Sequence, residues 1–105
     1  MVVKIKEKSL WAKMAAYNMK ASQMAIVFGN TIHLHNVTRE EFLSNRRWLR
    51  HEVAHVRQYQ QKGFIRFILS YLFETFNMSY EFNKYEVEAR KKETDLKVLE
   101  GVEFI

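Results

Sequence analysis

Arg50-His51-Glu52-Val53-Ala54-His55-Val56 contains the pattern His-Glu-x-x-His, and the reading of the whole chain turns on it. On a helix the two histidines stand one turn apart on one face, so both imidazoles can reach a single cation, and the glutamate beside the first can reach a water on that cation. The surroundings are helical: Thr38 followed by Glu41 is a capping-box pattern, and no breaker interrupts the chain until Gly63. The spacing predicts an active-site helix over residues 39–62, either one rod or a short helix running into a longer one. At about 100° per residue, Trp48, His51, Glu52, His55 and Tyr59 share one arc beside an apolar stripe of Leu49, Val53 and Val56. Arg46, Arg47, Arg50, Arg57 and Gln61 take the other side. The plain alternative makes His51 and His55 core histidines bonded to backbone carbonyls. Two imidazoles and a carboxylate together on an inward face need more partners than that.

A catalytic zinc takes three protein ligands and keeps one position for water. The chain has no cysteine, so the third ligand must be a histidine or a carboxylate. The candidates are His33, His35, Glu86, Glu88 and Glu93. On a last helix over residues 81–99, Phe82, Tyr85, Glu86, Ala89, Glu93 and Leu96 share a face, whereas Glu88 falls among Lys84, Lys91, Lys92 and Asp95. Glu86 is therefore expected to point inward, and Glu88 to form a solvated pair with Lys84 or Lys92. His33 and His35 form His-x-His on one strand face, which reads first as the wet side of a hairpin.

His51-Glu-Val-Ala-His55, followed 31 residues later by Glu86-Val-Glu-Ala89, resembles the gluzincin pattern of zinc metallopeptidases, HExxH on one helix and ExxA on a later one. The short chain is similar to the minimal gluzincins, or minigluzincins. The resemblance implies a zincin-like fold, one zinc ion per chain held by His51, His55 and Glu86, Glu52 as general base, and a peptide or protein substrate. Many relatives carry Asp directly after the Ala of ExxA to orient a ligand histidine; this chain has Arg90 there. Glu93, on the same face as Glu86, or a backbone carbonyl is the candidate replacement. Tyr80, Tyr85 and His33 are candidate donors to the oxyanion, with no spacing argument to choose among them.

Outward from the motif, Ser9 is placed to cap a helix over 9–20, with Leu10, Met14 and Tyr17 at helical spacing. Ala25–Phe28 and Thr31–His35 flank Gly29-Asn30 and predict a hairpin over 25–35. The segment 64–76 reads as a helix. Its broad stripe of Phe64, Ile65, Ile68, Leu69, Leu72, Phe73 and Phe76 is expected to pack in the core, with a homodimer contact or a membrane-surface contact helped by Lys62 and Arg66 as the other uses. The tail, residues 101–105, is β-prone and ends in a carboxylate. One expectation is that it enters the cleft as a self-inhibitor; the other is a frayed end.

A chain of 105 residues supports one domain, 1–105, of α/β (α+β) type: a small sheet with a hairpin packed on the active-site helix, plus further helices. The apolar run from Phe64 to Phe76 is interrupted by Arg66 and Glu74 and is shorter than the roughly 20 residues a membrane span requires. The lysines of MVVKIKEKSLW speak against an export signal, and the lack of cysteine fits a cytoplasmic protein. The formal charge of +5 raises nucleic-acid binding as a rival function, yet the basic residues are spread from Lys4 to Lys97 and no nucleic-acid partner is expected. A second rival is a zinc-binding regulatory module of the same fold without turnover.

Overall fold

Val3 and Ile5 alternate with lysines at positions 4 and 6, the period of a strand with one face in the core. In the computed structural model, which describes residues 1–105, this stretch is β1 (Val2–Lys6), the central element of the sheet and a strand outside the sequence-based expectations. Then follow α1 (Leu10–Met19), β2 (Met24–Phe28), β3 (Thr31–His35), α2 (Arg39–Ser44), α3 (Arg46–Lys62), α4 (Phe64–Phe82), α5 (Lys84–Lys92), a 3-10 turn (Leu96–Leu99) and β4 (Glu103–Phe104). The fold is mixed α+β, a four-stranded sheet with five helices. Strand order is β2-β3-β1-β4, with β2 antiparallel to β3 and β1 parallel to both of its neighbours. Gly29 opens the hairpin turn at φ +63°, where a side chain is disfavoured.

The sheet's inward residues, Val3, Ile5, Val27, Ile32 and Leu34, join Leu49, Val53 and Val56 of α3 in one core. Fully burying each of those three α3 side chains contributes roughly 1.5–3 kcal/mol, and together they fix the rotation of α3 about its axis. That rotation aims His51, Glu52 and His55. On α1, Ser9 accepts from the Ala12 amide, and the helix packs on β2 and β3 through its small residues, Ala12 and Ala16.

Over 39–62 the chain takes the second of the two expected forms, a short helix running into a longer one: Asn45 accepts from the Trp48 amide and starts α3 afresh, letting Phe42 bury completely beneath Trp48. Other boundaries differ from expectation, each for a local reason. The helix over 64–76 runs on through the polar stretch until Ser79, whose φ of +73° breaks it. The helix over 81–99 is only α5: Asn83 caps it through the Tyr85 amide, and Asp95 caps the separate 3-10 turn.

The expected core stripe of α4 is mostly open. Phe67 is the buried residue of the helix, with Ile68 and Tyr71 half-buried, while Phe64, Ile65, Leu69, Leu72, Phe73 and Phe76 are exposed. One packed side suffices to dock the helix, and no element covers the rest of its apolar arc.

The tail does not enter a cleft. It forms β4 on the edge of β1, with Glu103 donating to Met1 O at 2.8 Å and Ile105 to Val3 O at 2.9 Å. That edge is the opposite end of the sheet from β2. Arg39 donates to Phe104 O at 3.1 Å, so the tail is tied down at both backbone and side-chain level. No helix is long and apolar enough to cross a membrane.

Candidate metal centre

Hydrogen-bonding groups removed from most of their solvent need partners in one another, and here three of them converge. His51 Nε2 lies 3.0 Å from Glu86 Oε1, and His55 Nε2 lies 3.2 Å from Glu86 Oε2. One ligand atom from each of the three residues falls within 4.8 Å of the others. Atoms bound to one tetrahedral zinc at about 2.1 Å stand about 3.4 Å apart, close to the two Glu86 contacts, while the full group, spanning up to 4.8 Å, would have to draw in to hold one ion.

The outer nitrogens are held as well. His51 Nδ1 is 2.8 Å from Glu93 Oε2, and His55 Nδ1 is 2.8 Å from Gln58 Oε1. With Nδ1–H donated outward, each ring turns its Nε2 toward Glu86, the tautomer a metal ligand requires. The Arg90 guanidinium donates to the Glu81 carbonyl, and the carboxylate at the outer nitrogen of His51 is that of Glu93. Its other oxygen accepts from Arg47 at 2.7 Å, and its backbone carbonyl from Arg50 at 2.6 Å, which clamps the end of α5 to α3.

Glu86 is aimed by a second set of contacts. Asn83, fully buried, caps α5 and donates to Tyr71 O and Thr75 Oγ1, both at 3.0 Å, fastening α5 to α4. Tyr71 in turn donates to Glu86 Oε2 at 2.5 Å.

The charges follow from this arrangement. Burial pushes the Glu86 carboxyl up, but hydrogen bonds from His51, His55 and Tyr71 outweigh it and hold the group well below the usual carboxylate range. Burial also works to discharge His51; the hydrogen bond to Glu86, the field of Glu52 and the bond to Glu93 overcome it and raise the imidazole to about 9. His55 is raised against its burial by Glu86 and Glu52. Without an ion the centre is therefore held together by protons on imidazole facing one carboxylate, the positions a divalent cation would take. Glu52 is not compensated to the same extent, and burial pushes it up to about 7 despite the two imidazoles.

The centre opens onto an apolar groove of about 460 Å³ walled by α1, β2 and α4. Met24, Ala25 and Ile26 of the β2 edge line it together with His51, Glu52, Tyr71 and Tyr80.

Of the residues singled out in the sequence, the structure brings together His51, Glu52, His55, Glu86 and Glu93. His33 is elsewhere, 2.8 Å from Ser9 Oγ at the start of α1, and His35 closes β3 on the same strand face. Glu88 is not paired with Lys84 or Lys92; it accepts from Gln58 Nε2 at 2.8 Å, because Gln58 also reaches Tyr85 O and fixes that side of α5. Among the expected oxyanion donors, Tyr80 lines the groove, whereas Tyr85 is buried against Phe67. Gln58, Tyr71 and Asn83 join the site without having stood out in the sequence. Gln58 stands three residues after His55 on the same helix, a spacing that could have disclosed it. Tyr71 lies inside an apolar stripe and carries no signal.

The structure thus defines a small mixed α+β domain with a buried His-His-Glu cluster at the foot of a groove. The family model of the eCIS core domain matches residues 3–63, more than half the chain, and the chain belongs to that family. The matched stretch runs from β1 to the end of α3 and includes His51, Glu52 and His55; Glu86 and Glu93 lie beyond it. No curated protein and no solved structure matches.

Proposed function

We propose that this chain is a zinc-dependent peptidase of the gluzincin type, a zincin-like domain in which His51, His55 and Glu86 hold the ion. What supports it above all is the orientation of the two imidazoles: both Nε2 atoms face the Glu86 carboxylate while both Nδ1 atoms are engaged by outer acceptors. A bound zinc supplies a polarised, readily ionised water and a Lewis acid for the scissile carbonyl. Glu52, beside His51 on the same helix and lining the groove, would serve as the general base that accepts a proton from the attacking water and returns it to the leaving amine. Tyr80, on the groove wall, is the hydroxyl placed to donate to the oxyanion. The β2 edge, unpaired on its outer side, offers main-chain groups to an extended peptide. His33 and His35 stand outside the cluster, which leaves a coordination position for water and favours catalysis over a closed structural site.

Metal analysis of protein purified without added zinc tests this reading. About one zinc per chain is expected in the wild type, a large loss in Glu86→Ala and little change in Glu88→Ala. Glu52→Gln keeps the metal and loses cleavage of a fluorogenic peptide library. Equal metal content in Glu86→Ala and wild type refutes the ligand set. A wild type that binds zinc stoichiometrically yet cleaves nothing that Glu52→Gln leaves intact refutes the peptidase and leaves a zinc-binding module.

A further inference from the structure

Two helices present rows of large apolar side chains that nothing in the fold covers. On α1, Leu10, Trp11, Met14 and Tyr17 are all exposed, from 58% at Met14 to 85% at Tyr17. On α4, Ile65, Leu69, Phe73 and Phe76 form one outward stripe, Phe76 at 88%. These rows belong to one surface. The Trp11 ring meets Phe28 edge-on at 6.1 Å, and at the next residue, Gly29, an added Cβ would stand 3.5 Å from the ring of Phe64, the first residue of α4. Soluble monomers rarely leave such rows open.

Charge is partitioned in the same way. Residues 8–39 and 53–73, which carry the α1 row and the α4 row as far as Phe73, contain seven of the 17 Lys+Arg and none of the 12 Asp+Glu. Arg39 and Arg57 among these are engaged with backbone carbonyls, which leaves Lys8, Lys13, Lys20, Lys62 and Arg66 beside the apolar rows. Glu7 and Glu41 border Leu10 and Lys13 at the start of α1, and Glu74, between Phe73 and Phe76, accepts from the Lys84 amide.

We propose that this surface binds the face of an anionic lipid membrane, with the α1 and α4 rows entering the headgroup boundary and the five cations on the lipid phosphates. Apolar and aromatic side chains flanked by Lys and Arg, with Glu74 the one acid inside either row, match the two terms of interfacial binding, buried area and attraction to anionic headgroups. A second copy of the chain fits less well, because a two-fold contact through this face would set the same cations against themselves. The proposal is independent of the chemistry assigned to the metal centre.

Co-sedimentation of the purified 105-residue chain with vesicles of phosphatidylcholine alone, or mixed with phosphatidylglycerol, tests it. The chain is expected to partition onto the anionic vesicles, less so at raised salt, and hardly onto the neutral ones. Leu69→Glu/Phe73→Glu should lower partition by about tenfold or more, and Met14→Glu/Tyr17→Glu likewise. Lys62→Gln/Arg66→Gln should lower it by about fivefold per charge. All of these positions are exposed, so unchanged circular dichroism and gel-filtration volume are expected alongside. A wild type that stays in the supernatant with every vesicle, or binds neutral and anionic vesicles equally, overturns the proposal. So does a dimer in gel filtration that Leu69→Glu/Phe73→Glu splits, or capture of an acidic protein partner in place of the vesicles.

Discussion

Raising the pH of the metal-free chain should destabilise it progressively, because its centre is closed by protons. His51 has a raised pKa, about 9 in the folded chain against 6.5 for the free imidazole, so its contribution is fully present below about pH 6.5 and disappears as pH climbs through 9. A shift of that size is worth about 3 kcal/mol between pH 6 and pH 9, at 1.36 kcal/mol per unit. His51 is largely buried, with a side-chain exposure of 14%, so little of this is lost to solvent screening. Glu52, pushed up to about 7, acts in the same direction at lower pH, since a raised carboxyl also favours the protonated folded form. Glu86, whose pKa is lowered, is ionised throughout this window and contributes no slope there. Against a total stability of about 5–15 kcal/mol for such a domain, the effect is readily measured. Urea unfolding in chelator at about pH 6, 7.5 and 9 gives the profile, and His51→Gln should flatten its part of it, with the likewise raised His55 and Glu52 supplying the rest. With zinc present the slope should reverse, because ligation requires neutral imidazoles and the metal competes with their protons. A metal-free stability that is level or rises between pH 6 and 9, or a wild-type slope that survives undiminished in His51→Gln, refutes the picture of a centre closed by imidazole protons.

Three further outcomes are expected. Glu93→Gln should weaken zinc affinity by about 10–100-fold in competition with a chromogenic chelator while leaving the fold intact, since it perturbs the acceptor on His51 Nδ1 rather than a ligand. Asn83→Ala should cost about 1–3 kcal/mol in urea unfolding, through the lost cap of α5 and the orphaned groups of α4 it now serves. Deleting residues 101–105 should lower the melting temperature and leave any peptidase rate per folded molecule unchanged, because the tail completes the β1 edge and is not seated in the groove; a rise in that rate would restore the self-inhibition reading.

The parts of this molecule that the chain announces by itself are local ones. The spacing of His51, Glu52 and His55, the inward face shared by Glu86 and Glu93, the Gly29 hairpin and the Ser9 and Thr38 caps each depend on residues a few positions apart, so helix and strand periodicity suffices to read them. Tertiary structure decided the rest. The parallel pairing of β1 with β3 and β4 joins segments far apart in sequence, and two isolated residues of β4 carry no periodicity to betray it. Periodicity likewise says which side chains of α4 share a face, but not that only Phe67 finds a full neighbour. Above all, two imidazoles on α3 and a carboxylate on α5 become one centre because Gln58 and Arg50 lock those helices in register while Asn83 fastens α5 to α4, and such long-range hydrogen bonds exist only once the core has brought their partners together.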